Sequence, residues 1–283
     1  MQAAFCRASV AVVCAGIVGS VSAQTTVTWT GATGNGLWSD PANWSPAVVP
    51  QNSPTDSFVV VLPLQAPAPI VVDASMPADF AVDAIQGGVG VLHVETGQQL
   101  TVLQSSPEVA NLEINGGGRV FYSSASSLTL GGTNSDRAIT ALAGGQFAAN
   151  ATALQIGAFP QTRVGAGMDG LIDLSQAQTL SLARPGNPDN SPGSLSLSTT
   201  SSGVIDLSGM HTIIGPAGGS ISIGGNGGTV ALDSLNDLGG ASLDIDASGV
   251  GEIRLGSLTS SDTAIRIDVA EGRHVMMNAL QTS

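Results

Sequence analysis

The sequence predicts an all-β chain folded as a parallel β-helix, or β-solenoid, and three observations predict it. After residue 24 apolar residues alternate with polar ones instead of recurring at three and four, so strands with one buried face are expected and helices are not. Glycines followed by apolar residues at +2 and +4 recur along most of the chain. The 283 residues are 42% hydrophobic, 10% charged and 4% aromatic, with 37 glycines and no lysine. Such a mix can fill a core but is poor in the charged and aromatic groups of an ordinary enzyme domain. A formal charge of -13 gives a negative surface field, which excludes nucleic acid and anionic lipid as partners.

The first 23 residues read as a secretory signal peptide. Arg7 supplies the positive charge, Ala8 to Val18 is apolar, and Ser20-Val21-Ser22-Ala23 offers small residues before Gln24. The apolar run is too short to span a bilayer, which takes about 20 residues. Both cysteines, Cys6 and Cys14, lie inside this segment, so a chain starting at Gln24 has no disulfide and no thiol ligand. Val13 is branched where a lipid-attachment site before Cys14 wants a small residue, which argues against lipidation. The product is expected to be secreted or held at the cell surface.

Residues 24–80 form the predicted N-terminal cap and first strands, and residues 81–283 the repeats. The glycine-led strands are Gly90 (Leu92, Val94), Gly118 (Val120, Tyr122), Gly145 (Phe147, Ala149), Gly170 (Ile172, Leu174), Gly203 (Ile205, Leu207), Gly228 (Val230, Leu232) and Gly251 (Ile253, Leu255). Gly272 continues them, with the apolar pair slipped to Val275 and Met277. Successive gaps are 28, 27, 25, 33, 25, 23 and 21 residues. A second strand is expected about ten residues after each glycine, at Leu100 and Val102, Leu128 and Leu130, Leu154 and Ile156, Leu180 and Leu182, and less cleanly Ile213 and Ile214. A third is expected in the later turns, at Leu195 and Leu197, Ile221 and Ile223, Leu243 and Ile245, Ile265 and Ile267.

Two or three short strands per turn stack their inward residues into one apolar column, and a right-handed coil is expected. An antiparallel sandwich also gives short alternating strands, but no reason for one glycine-led strand to recur in phase. Inward strands must keep register while corner loops grow freely. The longest gap accordingly holds a predicted protruding loop, Arg184 to Gly193.

Residues 28–44 hold all three tryptophans, Trp29, Trp38 and Trp44, in a W-x-G, G-x-W, N-W block. Pro50, Asp56 and the strand Phe58 to Leu62 follow, and Gly97, Leu100 and Val102 match a G-x-x-L-x-V repeat ending. This resembles the start of bacterial exported β-solenoid proteins, the autotransporter-passenger-like proteins and related surface proteins with C-terminal sorting tails. The resemblance covers the first 80 or so residues after the signal and beyond that only the style of the repeats. It implies an exported surface protein and is nearly silent on activity. The resembling proteins usually end in an anchoring or translocating segment, whereas this sequence stops at Gln281-Thr282-Ser283 just after a strand, so a truncated frame or a fragment is expected.

The tryptophans admit two readings: a plug on the open end of the solenoid, or an exposed platform for sugar rings. Ligand-binding candidates are therefore Trp29, Trp38 and Trp44, together with Asp173 and Asp206. Those two aspartates fall at +3 after their glycines, and stacking sets them about 5 Å apart, the carboxylate spacing of a retaining glycosidase. Their neighbours in the same row are Phe121, Ala148, Ala231 and Arg254, and no lysine or histidine ladder surrounds them, so surface decoration is the better reading. Asp244 aligns with Arg266, a plausible cross-turn ion pair, and Asp246 with Asp268, a like-charge pair that either sits in solvent or binds calcium. Asp244, Asp246 and Asp268 are the metal candidates, although Leu255 stands where a calcium loop carries its bidentate Glu.

His93 and His211 are expected to be solvated. Rows of Ser and Thr, as in Ser194 to Ser202, suggest an ice- or crystal-facing surface but are not expected to repeat in register. The expectation is a structural or adhesive surface protein without catalysis and without a required cofactor, with polysaccharide or cell-surface components as partners. The alternative is a polysaccharide-processing or polysaccharide-binding β-helix.

Overall fold

The computed structural model describes residues 23–63, 69–87, 91–104, 108–109, 111–124, 126–131, 137–157, 160–184, 192–216, 218–247, 251–260, 264–269 and 274–282. Residues 1–22 of the signal-peptide reading and most of the predicted 184–193 loop lie outside them. Among the described residues the fold is all-β, with a single 3-10 turn at Pro41–Asn43.

Most strands belong to one large parallel sheet that curls round two faces, and a five-stranded parallel sheet forms a third. On the first face Ile70–Val72, Leu92–Val94, Leu112–Ile114, Arg137–Leu142 and Gln161–Gly167 stack in chain order. The opening parts of Ser194–Asp206 and Ser220–Leu232, then Ser242–Ala247 and Ile265–Val269, continue it. The second face runs from Asp79–Val82 through Gln99–Val102, Arg119–Tyr122, Gln146–Ala149 and Leu171–Asp173 to His274–Thr282. The third face holds Glu108–Val109, Ser127–Leu130, Ala153–Ile156, Thr179–Ser181 and Thr212–Ile214. Each interior strand pairs with its counterpart one turn earlier and one turn later, an arrangement consistent with a parallel β-helix.

Alternation decides which side chains fill the interior. Leu92, Leu112, Ile139, Val164, Leu197, Ile223 and Ile245 form one inward row on the first face, each at most 5% exposed. Leu100, Val120, Phe147, Ile172, Ile205 and Val230 form another on the second, and Leu128, Leu154, Leu180 and Ile213 a third. Burying one such side chain is worth about 1.5–3 kcal/mol.

The recurring glycine has a steric cause. It stands at the corner between the first and second faces, where the chain closes onto the carbonyls of the preceding turn. A Cβ on Gly145 would lie 2.1 Å from the Ile114 carbonyl oxygen, and one on Gly170 would lie 2.1 Å from that of Ala141. No side chain fits there unless the turns part.

Register corrects the sequence reading at its start. Leu92 and Val94 stack on Leu112 and Ile114 of the first face, while Leu100 and Val102 stack on Val120 and Tyr122. The true counterpart of Gly118 is therefore Gln98, not Gly90. The first face also exists in every early turn, where Leu112 with Ile114 and Val164 with Ala166 supply it. Stacking starts at Ile70, so the expected division at residue 80 falls inside the strand Asp79–Val82. Two serine rows do repeat in register, Ser194 with Ser220 and Ser242, and Ser196 with Ser222. Outward positions carry no hydrophobic signal, which is why these rows were hidden.

A separate four-stranded sheet lies at the N-terminal side, in the order Trp44–Ser45, Ala23–Trp29, Asp56–Leu62, Ala84–Gly87. Its first pair is antiparallel and the others are parallel.

Candidate functional site

The tryptophan block is built from the chain that precedes the stack. Trp29 and Trp44 face each other across the antiparallel pair, their rings 4.9 Å apart and nearly perpendicular. Trp38 meets Trp44 edge-on at 4.8 Å and Phe80 of the first full turn at 5.9 Å. Two of the indole nitrogens donate to nearby carbonyls: Trp44 to that of Trp38 at 2.8 Å and Trp38 to that of Pro50 at 3.2 Å. The three rings are 5%, 0% and 3% exposed for Trp29, Trp38 and Trp44. The sugar-platform reading needs open ring faces, and these faces are covered by one another and by Phe80.

Asn43, fully buried beside Trp44, ties the loop together. Its Oδ1 accepts from the Thr33 backbone N–H and hydroxyl, and its Nδ2 donates to Asn35 Oδ1 and the Leu37 carbonyl. Asp40 caps the 3-10 turn. Its carboxyl is held below the ordinary range by the Ala42 backbone N–H first and the Asn35 amide second.

The block covers the outer edge of the stack. Ile70–Val72 and Asp79–Val82 are the terminal strands of the large sheet. Val71 exchanges hydrogen bonds with Gly36 and Trp38, each 2.8 Å, and the Ala81 carbonyl accepts from the Asn52 N–H at 2.7 Å. Backbone groups that would otherwise stand open at a sheet edge are thus partnered.

Two buried aspartates bind the block to the first turn. Asp73 accepts from the Ser39 N–H and hydroxyl and from the Ser75 N–H. Burial pushes its pKa up, but the hydrogen bonds from Ser39 and Ser75 outweigh burial and hold the group below 3.8. Asp83 accepts from the Gln24 side chain at 2.7 Å and the Asn52 side chain at 2.8 Å.

Asp173 and Asp206 stand in register, and the row runs Phe121, Ala148, Asp173, Asp206, Ala231, Arg254 as its sequence positions require. Both carboxylates are turned to their own corners. Asp173 accepts from the Ser175 N–H at 3.0 Å and the Ser175 hydroxyl at 2.6 Å, and Asp206 from the Ser208 N–H at 2.9 Å. The Asp-Leu-Ser tripeptide repeats because each carboxylate closes the turn after its strand, as aspartate does in local side-chain-to-backbone turns. Arg254, two turns beyond Asp206 in the same row, engages Asp233 at 3.4 Å and Glu252 at 4.0 Å, so it does not converge with that pair.

Asp244 aligns with Arg266 and Asp246 with Asp268, as the spacing requires. Arg266 bonds Asp268 two residues along its own strand, which relieves the like-charge pair without an ion. All four side chains are exposed, and among the described residues no group of three or more His, Cys, Asp or Glu side chains converges to hold a metal. His93 is half-buried rather than solvated. Its Nε2 meets the Asn115 side-chain nitrogen at 2.5 Å and lies 3.5 Å from Glu113, the residue beside it in register. His211 is exposed, with Nδ1 3.3 Å from the Ser234 carbonyl.

Asn43, Asp73, Asp83 and Gln98 were not singled out from the sequence. Asn43 had a signal, its place in the N-W pair, whereas the links of the aspartates to the block carry none, because Ser39 lies 34 residues from Asp73 and the partners of Asp83 lie 59 and 31 residues away. No family model matches the chain, and the curated proteins and the solved structures likewise return no match. No helix among the described residues is long and apolar enough to cross a membrane.

Proposed function

We propose that this chain is an exported bacterial surface protein whose right-handed β-solenoid, closed at its N-terminal end by the tryptophan block, is a structural or adhesive element without catalysis. The observation that carries the reading is the parallel ladder from Ile70 to Ile267, whose first strand has its outer edge hydrogen-bonded by the block at Val71. Right-handedness follows from the strong preference of parallel crossovers. Export follows from the signal-like segment. Cleavage before Gln24 leaves as first residue the one whose side chain bonds Asp83.

The rival reading, a polysaccharide-processing enzyme, rests on Asp173 and Asp206. Their bonds to Ser175 and Ser208 argue for a turn-closing role. Fractionation of a producing bacterium, with sequencing of the product's N-terminus, tests the proposal: a product outside the cytoplasm that starts at Gln24 is expected, and an uncleaved cytoplasmic chain overturns it. Incubation with acidic and neutral polysaccharides tests the absence of catalysis. Release of reducing ends that vanishes in an Asp173→Asn, Asp206→Asn double variant overturns that part.

A further inference from the structure

An asparagine side chain is attacked most readily by its own backbone when glycine follows, because a residue without Cβ leaves its amide nitrogen open to the approach. The chain has three such pairs, Asn35-Gly36, Asn115-Gly116 and Asn226-Gly227, and the structure sets one of them apart. Asn35 is locked: its Oδ1 accepts from the Leu37 N–H at 3.0 Å and the Asn43 amide at 2.7 Å, and its Nδ2 donates to Asp40 at 2.7 Å. Asn115 is half-buried, with its side-chain nitrogen against His93. Asn226 is exposed, and among the described residues no hydrogen bond holds its side chain.

The backbone at this pair is also held on one side only. Asn226 and Gly227 lie in the strand Ser220–Leu232, opposite Thr200 and Ser201 of the preceding turn. Pairing with the following turn stops at Gly224, opposite Asp246, and resumes at Thr229, opposite Glu252. Ser220, outward like Asn226, donates its N–H to the Gly193 carbonyl of the preceding turn. Alternation turns the Asn226 N–H the same way and the Gly227 N–H toward the following turn, at the gap in the described ladder. Gly227 is fixed by the fold, since its φ is +103° and a Cβ would lie 2.5 Å from the Ser201 carbonyl oxygen. Asn226 is not so fixed: its outward row carries Gly167 and Thr200 in the two preceding turns.

We propose that Asn226 is a self-modification site, converted in the folded chain to aspartate and isoaspartate. The Gly227 backbone nitrogen bonds to Asn226 Cγ, the Cγ–Nδ2 bond breaks, and the proton lost from the nitrogen leaves with Nδ2 as ammonia. Water then opens the cyclic imide at either carbonyl, which gives aspartate or isoaspartate. In isoaspartate the main chain runs through Cγ, so the strand gains an extra backbone atom opposite Thr200 and Ser201 and the ladder to the preceding turn loosens there. The proposal stands independently of the surface-scaffold reading.

Ageing the whole chain in warm, mildly alkaline buffer, with peptide mapping by mass spectrometry and enzymatic methylation of isoaspartate, tests it. Freeing an amide from a hydrogen bond slows conversion by about tenfold, so Asn226 is expected to convert at least about tenfold faster than Asn35 and Asn115. In urea the three rates are expected to converge. Hydrogen exchange in the aged chain is expected to rise in Ser194–Asp206 and to stay unchanged in Ile70–Val72. Asn226→Ser, aged in parallel, is expected to keep the exchange pattern of the fresh chain. An Asn226 that keeps its amide in the folded chain overturns the proposal, as do equal rates at the three pairs before urea is added. Unchanged exchange in Ser194–Asp206 after full conversion overturns the loosening of the ladder.

Discussion

Trp38 and Ile172 are both fully buried, yet they are held by different chemistry. Ile172 lies between Phe147 and Ile205, one member of a row in which any branched or aromatic side chain of similar size would serve. Trp38 meets Trp44 edge-on and Phe80 at a tilt, donates its indole proton to the Pro50 carbonyl and accepts the Trp44 indole proton on its own carbonyl. The stack can repeat because each turn offers the next the same surface. Its first edge has no preceding turn, so different residues with fixed partners must satisfy the Val71 and Ala81 backbone. Repetition therefore stabilises the interior of a solenoid and cannot stabilise its end.

The comparison breaks most severely at the glycine corner. Gly170→Val forces a branched side chain against the Ala141 carbonyl oxygen, and the expected cost is at least about 4 kcal/mol. Chemical denaturation followed by circular dichroism checks it; a variant of parental stability would mean that the turns are not in close contact there. Next comes Trp38→Ala, expected to cost about 3–5 kcal/mol. Hydrogen exchange sharpens that case: faster exchange is expected in Ile70–Val72 and Asp79–Val82, and unchanged exchange in Ser220–Leu232. Uniform acceleration would show that end and stack unfold as one unit.

Asn43→Leu is expected to cost about 2 kcal/mol, because it removes from a fully buried position the side chain that accepts from Thr33 and donates to Asn35 and Leu37. Asp73 gives a smaller effect with a pH signature. Its folded pKa is lowered, so the stability it contributes is fully present above 3.8 and is lost as pH falls through the lowered value. Asp73→Asn is expected to flatten the acid limb of a melting-temperature profile below about pH 4, and an unchanged limb would rule out this link between block and stack. The smallest effect is expected for Asp206→Asn, within about 1 kcal/mol in a thermal melt, because an amide oxygen still accepts from the Ser208 N–H.

Much of the stack was legible in the residues. Inward positions must be apolar and alternate, so Val120, Phe147, Ile172 and Ile205 announce both their strand and their row, and the outward row containing Asp173 and Asp206 follows by adding one. The first turns were misphased because Gly90 imitates the corner glycine, while the true corner position is taken by Gln98. The candidate chemistry was legible in position but not in partner. Spacing set Asp173 beside Asp206, yet the bonds that engage them run along the chain to Ser175 and Ser208.

By itself the sequence determined the strand class, the inward rows and the alignment of one turn with the next, because a period of two and a corner without room for Cβ are local constraints that recur. The tertiary structure alone decided the burial of the tryptophans, the joining of Ser39 to Asp73 and of Gln24 and Asn52 to Asp83, and the unmet oxygen of Gln98. Those contacts join residues that share no period, and a polar group's partner is set by where the folded chain brings a matching donor or acceptor, which composition and spacing do not encode.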